Sequence, residues 1–320
     1  MSASLRIVWI GFHEEGQAAL AAILESGYPV EAVITLAEEA LAKRSGGFRY
    51  EDLCRRHKVP LHQVRHINDP ASLQLLRSLT PDLAFVIGWS QIVSPEAMAT
   101  AKLGMIGAHA SFLPHNRGSA PVNWAILRGE DEGGNTLIWL SESVDAGEII
   151  DQTRFPITVY DTCATVYEKV AESNRDMILR LLPKLLAGER PGRPQVYSDE
   201  PILPRRRPQD GQIDWSKSGR EVYDFIRGLT RPYPGAFSWL EGQRYLIWNA
   251  ASFPVDLTQD AVQGRTLGPM VSPSAEACGQ VVACGRGAIV ILEVEDPDGR
   301  ILKGMDLAEM KWNGKVWNNV

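Results

Sequence analysis

The chain has 320 residues, 44% of them apolar, and a formal net charge of −6. That is enough apolar material for one large domain with a smaller one beside it, and the charge argues against a surface devoted to gripping nucleic acid. The four cysteines, Cys54, Cys163, Cys278 and Cys284, show no Cys-x-x-Cys spacing, so no structural zinc or disulfide scaffold is expected and a reducing, cytoplasmic compartment fits.

The opening Met1-Ser-Ala-Ser-Leu-Arg runs directly into an apolar strand, Leu5 to Gly11, so neither a signal peptide nor a membrane span is expected. A helix-compatible run at Gln17 to Leu24 and a second strand at Val30 to Thr35 complete a strand-helix-strand opening with short connections, which favours a parallel sheet. Further along come a helical stretch at Tyr50 to His57, Val59 to Val64, a helix at Ala71 to Leu79 and an apolar strand at Leu83 to Gly88. Met105 to Ala108 is short and apolar, Asn135 to Leu140 alternates weakly, and Thr162 to Leu186 is a long helical pattern. Gly188 to Asp210 is rich in Pro and Arg and reads as a solvated linker, although its Arg205 to Arg207 run is a candidate polyanion contact. Beyond Gly211 an amphipathic helix at Ser218 to Leu229 precedes strand-like segments at Ala236 to Leu240, Arg244 to Ala250, Gly279 to Ala283 and Ala288 to Val294, the pattern of a small barrel or sandwich.

Several familiar motifs fail. Gly11 to Gly16 reads GFHEEG, and His13 stands where a dinucleotide fingerprint needs its second glycine, so close approach of a pyrophosphate loses its steric basis. Neither a phosphate loop nor a His-Glu-x-x-His pair is present. The informative stretch is 104–150. His109 follows an apolar strand at the edge where parallel sheets build their sites. Asp145 precedes an Ala-Gly turn, close enough in the predicted topology to orient the imidazole or set its protonation.

The stretch His109-Ala-Ser-Phe-Leu-Pro114, with Arg117-Gly118, Ala120-Pro121, Trp124-Ala125-Ile126 and Val144-Asp145-Ala-Gly-Glu-Ile149, resembles the signature of the formyltransferases that use 10-formyltetrahydrofolate. The family includes enzymes acting on methionyl-tRNA, amino sugars and glycinamide ribonucleotide. Gly211 to Phe237 resembles the opening of the carboxyl-terminal domain of its longer members. The resemblance implies an α/β fold: a Rossmann-like parallel-sheet catalytic domain over 1–205, reaching through a linker at 188–210, and an OB-like β-barrel over 211–320. It also implies His109 and Asp145 as the catalytic pair, 10-formyltetrahydrofolate as one-carbon donor and no metal.

One departure from the pattern stands out. The family's catalytic asparagine, two positions before the histidine, is here Gly107. Loss of a donor of that kind removes roughly 3 kcal/mol of oxyanion stabilisation where such sites have been measured. Asn116, Asn123, Asn135 or the backbone at Gly107 are the candidate substitutes. A second departure, Gly133-Gly-Asn135-Thr136 in place of Thr-Gly-Val-Thr, is what brings Asn135 forward. The resemblance places the folate against Trp89, Ser90, Gln91 and Ile92, against Leu137, Trp139, Leu140 and Ser141, and beside Asp145. The loop Ile34 to Leu53 mixes acids with bases, unlike the basic loop of the tRNA enzymes, so a small-molecule amine is the expected acceptor: amino sugar, amino acid or hydroxylamine. A methionyl-tRNA enzyme, a formyltetrahydrofolate hydrolase or other one-carbon transferase, and a non-catalytic folate-binding regulator are the alternatives.

Overall fold

The computed structural model describes residues 5–196, 198–253 and 262–318. Contacts divide them into two units, one built from 1–121, 132–156 and 166–204, the other from 122–131, 157–165 and 205–320.

The first unit is organised by a seven-stranded sheet: β1 (Ile7–Ile10), β2 (Val30–Leu36), β3 (Leu61–Val64), β4 (Leu83–Val86), β5 (Gly104–His109), β6 (Glu132–Trp139) and β7 (Ile149–Pro156), in the order β3-β2-β1-β4-β5-β6-β7. β1 to β5 run parallel, as the strand-helix alternation predicts. β6 and β7 are antiparallel, so the sheet is mixed, not parallel throughout. No helix intervenes between β6 and β7 to carry the chain back for a parallel return.

Side-chain alternation gives the sheet two apolar faces. One carries Trp9, Phe85, Ile106, Leu137 and Trp139, packed with Leu20 and Ile23 of α1 (Gln17–Glu25). Short α2 (Glu38–Leu41) and α3 (Glu51–His57) follow β2. The other face carries Val8, Ile10, Val86 and Met105, packed with Leu73 and Leu76 of α4 (Pro70–Leu79) and Ala97 of α5 (Pro95–Met98). α6 (Pro121–Leu127) leaves the loop after β5, and α7 (Cys163–Leu186) returns Met177, Ile178, Leu181 and Leu185 to the first face. Those residues fall at helical spacing, so one stripe of α7 stays apolar. Strand order reverses direction between β1 and β4, which opens the carboxyl edge there, one strand from β5.

In the second unit α8 (Gly219–Leu229) starts at a capping box in which Ser218 and Glu221 satisfy each other's backbone N–H groups. It precedes an antiparallel sheet of β8 (Ala236–Leu240), β9 (Gln243–Phe253), β10 (Thr266–Met270), β11 (Gly279–Ala283), β12 (Ala288–Glu295), β13 (Ile301–Lys303) and, after α9 (Gly304–Ala308), β14 (Trp317–Asn318). The order is β10-β11-β12-β9-β8-β14, with β13 on β12. The two ends of that path are joined: Trp317 N–H donates to Gly264 O and Thr266 N–H to Lys315 O, each at 2.8 Å. Trp215, Tyr245, Trp312 and Trp317 form the aromatic centre. β7, β10, β13, β14, α5 and α9 have no counterpart in the sequence reading.

Candidate active site

His109 ends β5, on the face shared with Met105 and Gly107. Its ring is buried, and Nε2 lies 2.8 Å from the Asn116 carbonyl oxygen. A carbonyl can only accept, so Nε2 carries the proton. Nδ1 then faces Asp145 Oδ2 at 3.5 Å. The same Oδ2 accepts the Gly118 N–H at 2.9 Å. A neutral ring in this tautomer presents the Nδ1 lone pair beside a carboxylate, so Nδ1 is the atom poised to gain a proton.

Two loops hold this pair, one after β5 and one between β6 and β7. Thr136 pairs with His109 across β5 and β6. Its hydroxyl donates to Ser111 O at 2.7 Å and accepts Leu113 N–H and Gln152 Nε2, each at 3.1 Å, which pins the chain leaving His109. Gly147 packs so closely on the end of β6 that a Cβ there would sit 1.7 Å from Trp139 O. Gly118 has φ +112°, and a Cβ there would lie 2.5 Å from Leu203 O. The Arg-Gly and Asp-Ala-Gly motifs therefore have a steric basis. Asp145 itself has φ +52°, a left-handed conformation that costs a non-glycine residue about 1–2 kcal/mol and persists only where its surroundings hold it.

The segment that composition marks as a solvated linker is exposed for much of its length yet tied to these loops. Arg193 and Ile149 exchange both backbone hydrogen bonds. Gln195 Nε2 donates to Asp145 O and Gly147 O, both at 2.8 Å. Arg117 donates to Ser198 O at 3.0 Å, Glu200 pairs with His115, and Leu203 bonds Arg117 and Ser119 through its backbone. Thr136, Gln152 and Gln195 were absent from the sequence reading because no motif marks a lone polar residue that acts on the backbone.

The other candidates separate by the direction of their side chains. Asn135 is fully buried and donates to Ser173 Oγ at 2.8 Å and Asn174 Oδ1 at 2.7 Å on α7, opposite the His109 face. Asn123 donates to Gly228 O at 2.6 Å within the second unit. Asn116 contributes its carbonyl to His109 from a left-handed turn, φ +56°. At Gly107 a Cβ would lie 2.6 Å from Leu140 Cδ2, so Leu140 occupies the space that any side chain at 107 would need. Leu137 and Trp139 belong to the α7 face, and Trp139 Nε1 donates to Pro191 O. Parity along β6 thus turns these two side chains away from His109, while Leu140 points the same way as Gly107. Trp89 lies edge-on to Phe12 at 5.9 Å with Nε1 buried and unpartnered. Gln91 spends its amide on Ile67 N–H and Arg65 O, Ser90 is exposed, Ile92 is 70% exposed, and Ser141 donates to Ser143 O at 3.1 Å.

At the β1–β4 edge, His13 is buried against Gly46 and Tyr167, and its Nδ1 accepts Glu15 N–H at 3.3 Å. Burial pushes its pKa down to about 4. Burial, with the charge of Glu14 adding to it, pushes Glu15 up to about 7. The loop that fails as a dinucleotide fingerprint is therefore a tightly packed turn, closed from the β4 side by Gly88, where a Cβ would lie 2.7 Å from His13 Cβ.

Residues 5–182 match the family described as Formyl transferase, and residues 206–311 match Formyl transferase, C-terminal domain. The chain belongs to the formyl transferase family. Its members share formyl-group transfer, and the chain carries both parts of the enzyme architecture. Among solved structures, HypX from Aquifex aeolicus in complex with tetrahydrofolic acid is 19% identical with a TM-score of 0.64, covering 94% of this chain and 46% of its own. The chain thus spans about half the length of HypX. An N-formyltransferase from Helicobacter canadensis, complexed with folinic acid and dTDP-3-aminofucose, is 16% identical with a TM-score of 0.62 over 90% of this chain and 99% of its own. Glycinamide ribonucleotide transformylase 1 from Symbiobacterium toebii is 20% identical with a TM-score of 0.50, covering 59% of this chain and 90% of its own. At these identities the likeness is one of fold.

Proposed function

We propose that this chain transfers the formyl group of 10-formyltetrahydrofolate to the amine of a small molecule: an amino sugar, an amino acid or a hydroxylamine. The observation that carries the reading is the His109 ring, with Nε2–H committed to Asn116 O and Nδ1 turned towards Asp145. When bound, the folate supplies an activated formyl carbon. His109 Nδ1 accepts the proton that the attacking amine loses and passes it to the folate nitrogen as that nitrogen's bond to the formyl carbon breaks, and the Asp145 carboxylate stabilises the ring cation in between. With Asn123 and Asn135 bonded elsewhere and Gly107 bare, the positive charge the ring gains offsets, through space, the negative charge developing on the formyl oxygen, both ring nitrogens being turned to Asn116 O and Asp145.

A folate fits the residues present. The orphaned Trp89 Nε1 offers a donor, and exposed Ile92 with Leu140 offers apolar contact for a flat heteroaromatic ring. A small acceptor is favoured over tRNA because the bases of the Ile34 to Leu53 loop are interspersed with acids, and three cations in or beside it are paired: Arg49 with Glu38, Arg55 with Asp52 and Arg65 with Glu39. Arg206 stacks over Trp124 and Phe225. Arginines spent in this way have less to give to phosphates. In this reading the catalytic domain spans 1–205 and the remainder, 211–320, is an OB-like barrel. The bonds joining β10 to the approach of β14 support closure. Four buried thiols support a cytoplasmic location.

The test is an amine library offered with 10-formyltetrahydrofolate at moderate salt, with product masses read out. H109N should abolish formyl transfer and leave folate binding within about twofold, because the ring acts on protons and not on the pterin. Efficient formylation of charged initiator tRNA with every small amine inert would overturn the acceptor assignment. Formate release that ignores the amine would make the chain a hydrolase.

A further inference from the structure

The catalytic pair depends on a backbone conformation that the Asp145 loop does not favour by itself. Asp145 is left-handed, and its carboxylate reaches His109 only while the loop keeps that turn. Within the loop the contacts are few: Ala146 N–H to Ser143 O, Ser141 Oγ–H to the same carbonyl, and the close approach of Gly147 to Trp139 O. The donors that reach the turn from outside are Gly118 N–H, on the carboxylate, and Gln195 Nε2, on the two carbonyls that flank Ala146. Gln195 lies on the strap of residues 193–195 and 198–203, and the same strap steadies the chain around Gly118. Arg193 anchors it to Ile149 just after the turn, and Leu203 anchors it to Arg117 and Ser119 around Gly118. Glu200 pairs with His115 and accepts Asn116 N–H at 3.4 Å, beside the carbonyl that fixes the His109 tautomer.

We propose that the strap of residues 193–195 and 198–203 is a positioning element for the catalytic pair, with Gln195 as its principal residue. Gln195 holds Asp145 in the conformation that presents Oδ2 to His109 Nδ1, and Leu203 holds Gly118 where its N–H steadies the same oxygen. The catalytic role of His109 and Asp145 comes from the proposed function, but the positioning effect is measurable without it. Gln195 bonds two carbonyls and touches no reacting atom, so its removal changes geometry and leaves the reacting groups in place.

Three variants separate the outcomes. Q195M keeps the length and loses both donors, Q195K keeps a donor that reaches two carbonyls, and Q195A is the truncation used should Q195M fold poorly. Gln195 is partly exposed, so circular dichroism and melting should stay close to wild type. With ¹⁵N-histidine labelling and H109N to assign the signal, the His109 ring resonances should move in Q195M and return in Q195K. With 10-formyltetrahydrofolate, kcat should fall on the order of tenfold or more in Q195M, with KM for the folate unchanged and kcat restored in Q195K. His109 ring signals identical in wild type, Q195M and Q195A would overturn the proposal. Moved ring signals in a chain that never consumes the folate would overturn the functional reading and leave the strap standing.

Discussion

Restoring an amide at position 107 should fail as a single change and succeed as a double one. Gly107 sits on the His109 face of β5, and an added Cβ would lie 2.6 Å from Leu140 Cδ2, 3.5 Å from Leu140 Cγ and 3.6 Å from Val86 O. The first distance is well inside van der Waals contact, so G107N must displace Leu140, at an overpacking cost of about 1–3 kcal/mol. L140A removes a half-buried side chain that packs on both the Met105 and the Leu113 clusters. Its cost should fall near the lower end for such truncations, about 2 kcal/mol. Summed, the two changes would cost about 4 kcal/mol, but the asparagine then fills the space that alanine leaves. The double variant should recover at least about 1 kcal/mol of that sum. Hydrogen exchange of β5 and β6 peptides through a urea titration isolates this sheet from the second unit. Strict additivity within about 0.5 kcal/mol would show that Leu140 does not fill the place of a side chain at 107. If the formyl oxygen lies where that amide would reach, the double variant should also raise folate turnover, since one oxyanion donor is worth roughly 3 kcal/mol.

Glu15 gives a pH signature. Its pKa is raised from 4.5 to about 7, so the folded state favours the neutral form: stability is full below pH 4.5 and falls as pH rises towards 7. E15Q should therefore be more stable than wild type by about 3 kcal/mol at pH 8 and nearly equal to it at pH 4.5 in urea melts; equal stability at pH 8 would refute the burial argument. His13, lowered from 6.5 to about 4, has the opposite sign, so E15Q should retain an acid limb in which stability declines as pH falls from 6.5 to 4. G118A places a Cβ 2.5 Å from Leu203 O at φ +112°, which should cost about 2–4 kcal/mol and release hydrogen-exchange protection at Leu203 and Ser119; unchanged protection there would contradict the close packing.

The apolar strands and the spacing of α4, α7 and α8 show in the sequence because periodicity follows burial directly, and His109 and Asp145 stand out as candidates because the motif around them is long. What sequence could not show is register. His109 lies opposite Thr136, so even-numbered residues of β6 share its face and odd-numbered ones do not. Asn135, Leu137 and Trp139 looked equivalent to their neighbours because parity has meaning only once a strand's partner is known. The linker misled for a different reason. Proline and arginine over 188–210 correctly signal the absence of regular structure, yet side-chain donors such as Gln195 and backbone groups such as those of Leu203 still anchor the segment.

These observations converge on one site with a changed division of labour. A centre that keeps an amide near the formyl oxygen can stabilise the oxyanion with a neutral dipole and leave the histidine to move protons. Here Leu140 fills that place, and the two remaining asparagine candidates on strand and helix are bonded away from it. On the proposed function, the electrostatic work then falls more heavily on the ring cation that His109 forms during transfer, and a buried cation is stabilised only while its carboxylate stays close. Asp145 stands 3.5 Å from that ring in a backbone conformation that needs outside support. A loop that only had to orient a neutral imidazole would tolerate slack, because a misaligned carboxylate costs a neutral ring little. A loop that must hold a counterion to a cation does not, and this one is tied at Asp145 and Gly147 by Gln195, at Ile149 by Arg193 and at its carboxylate by Gly118. On the proposed function, the glycine at 107 and the strap therefore answer one electrostatic requirement.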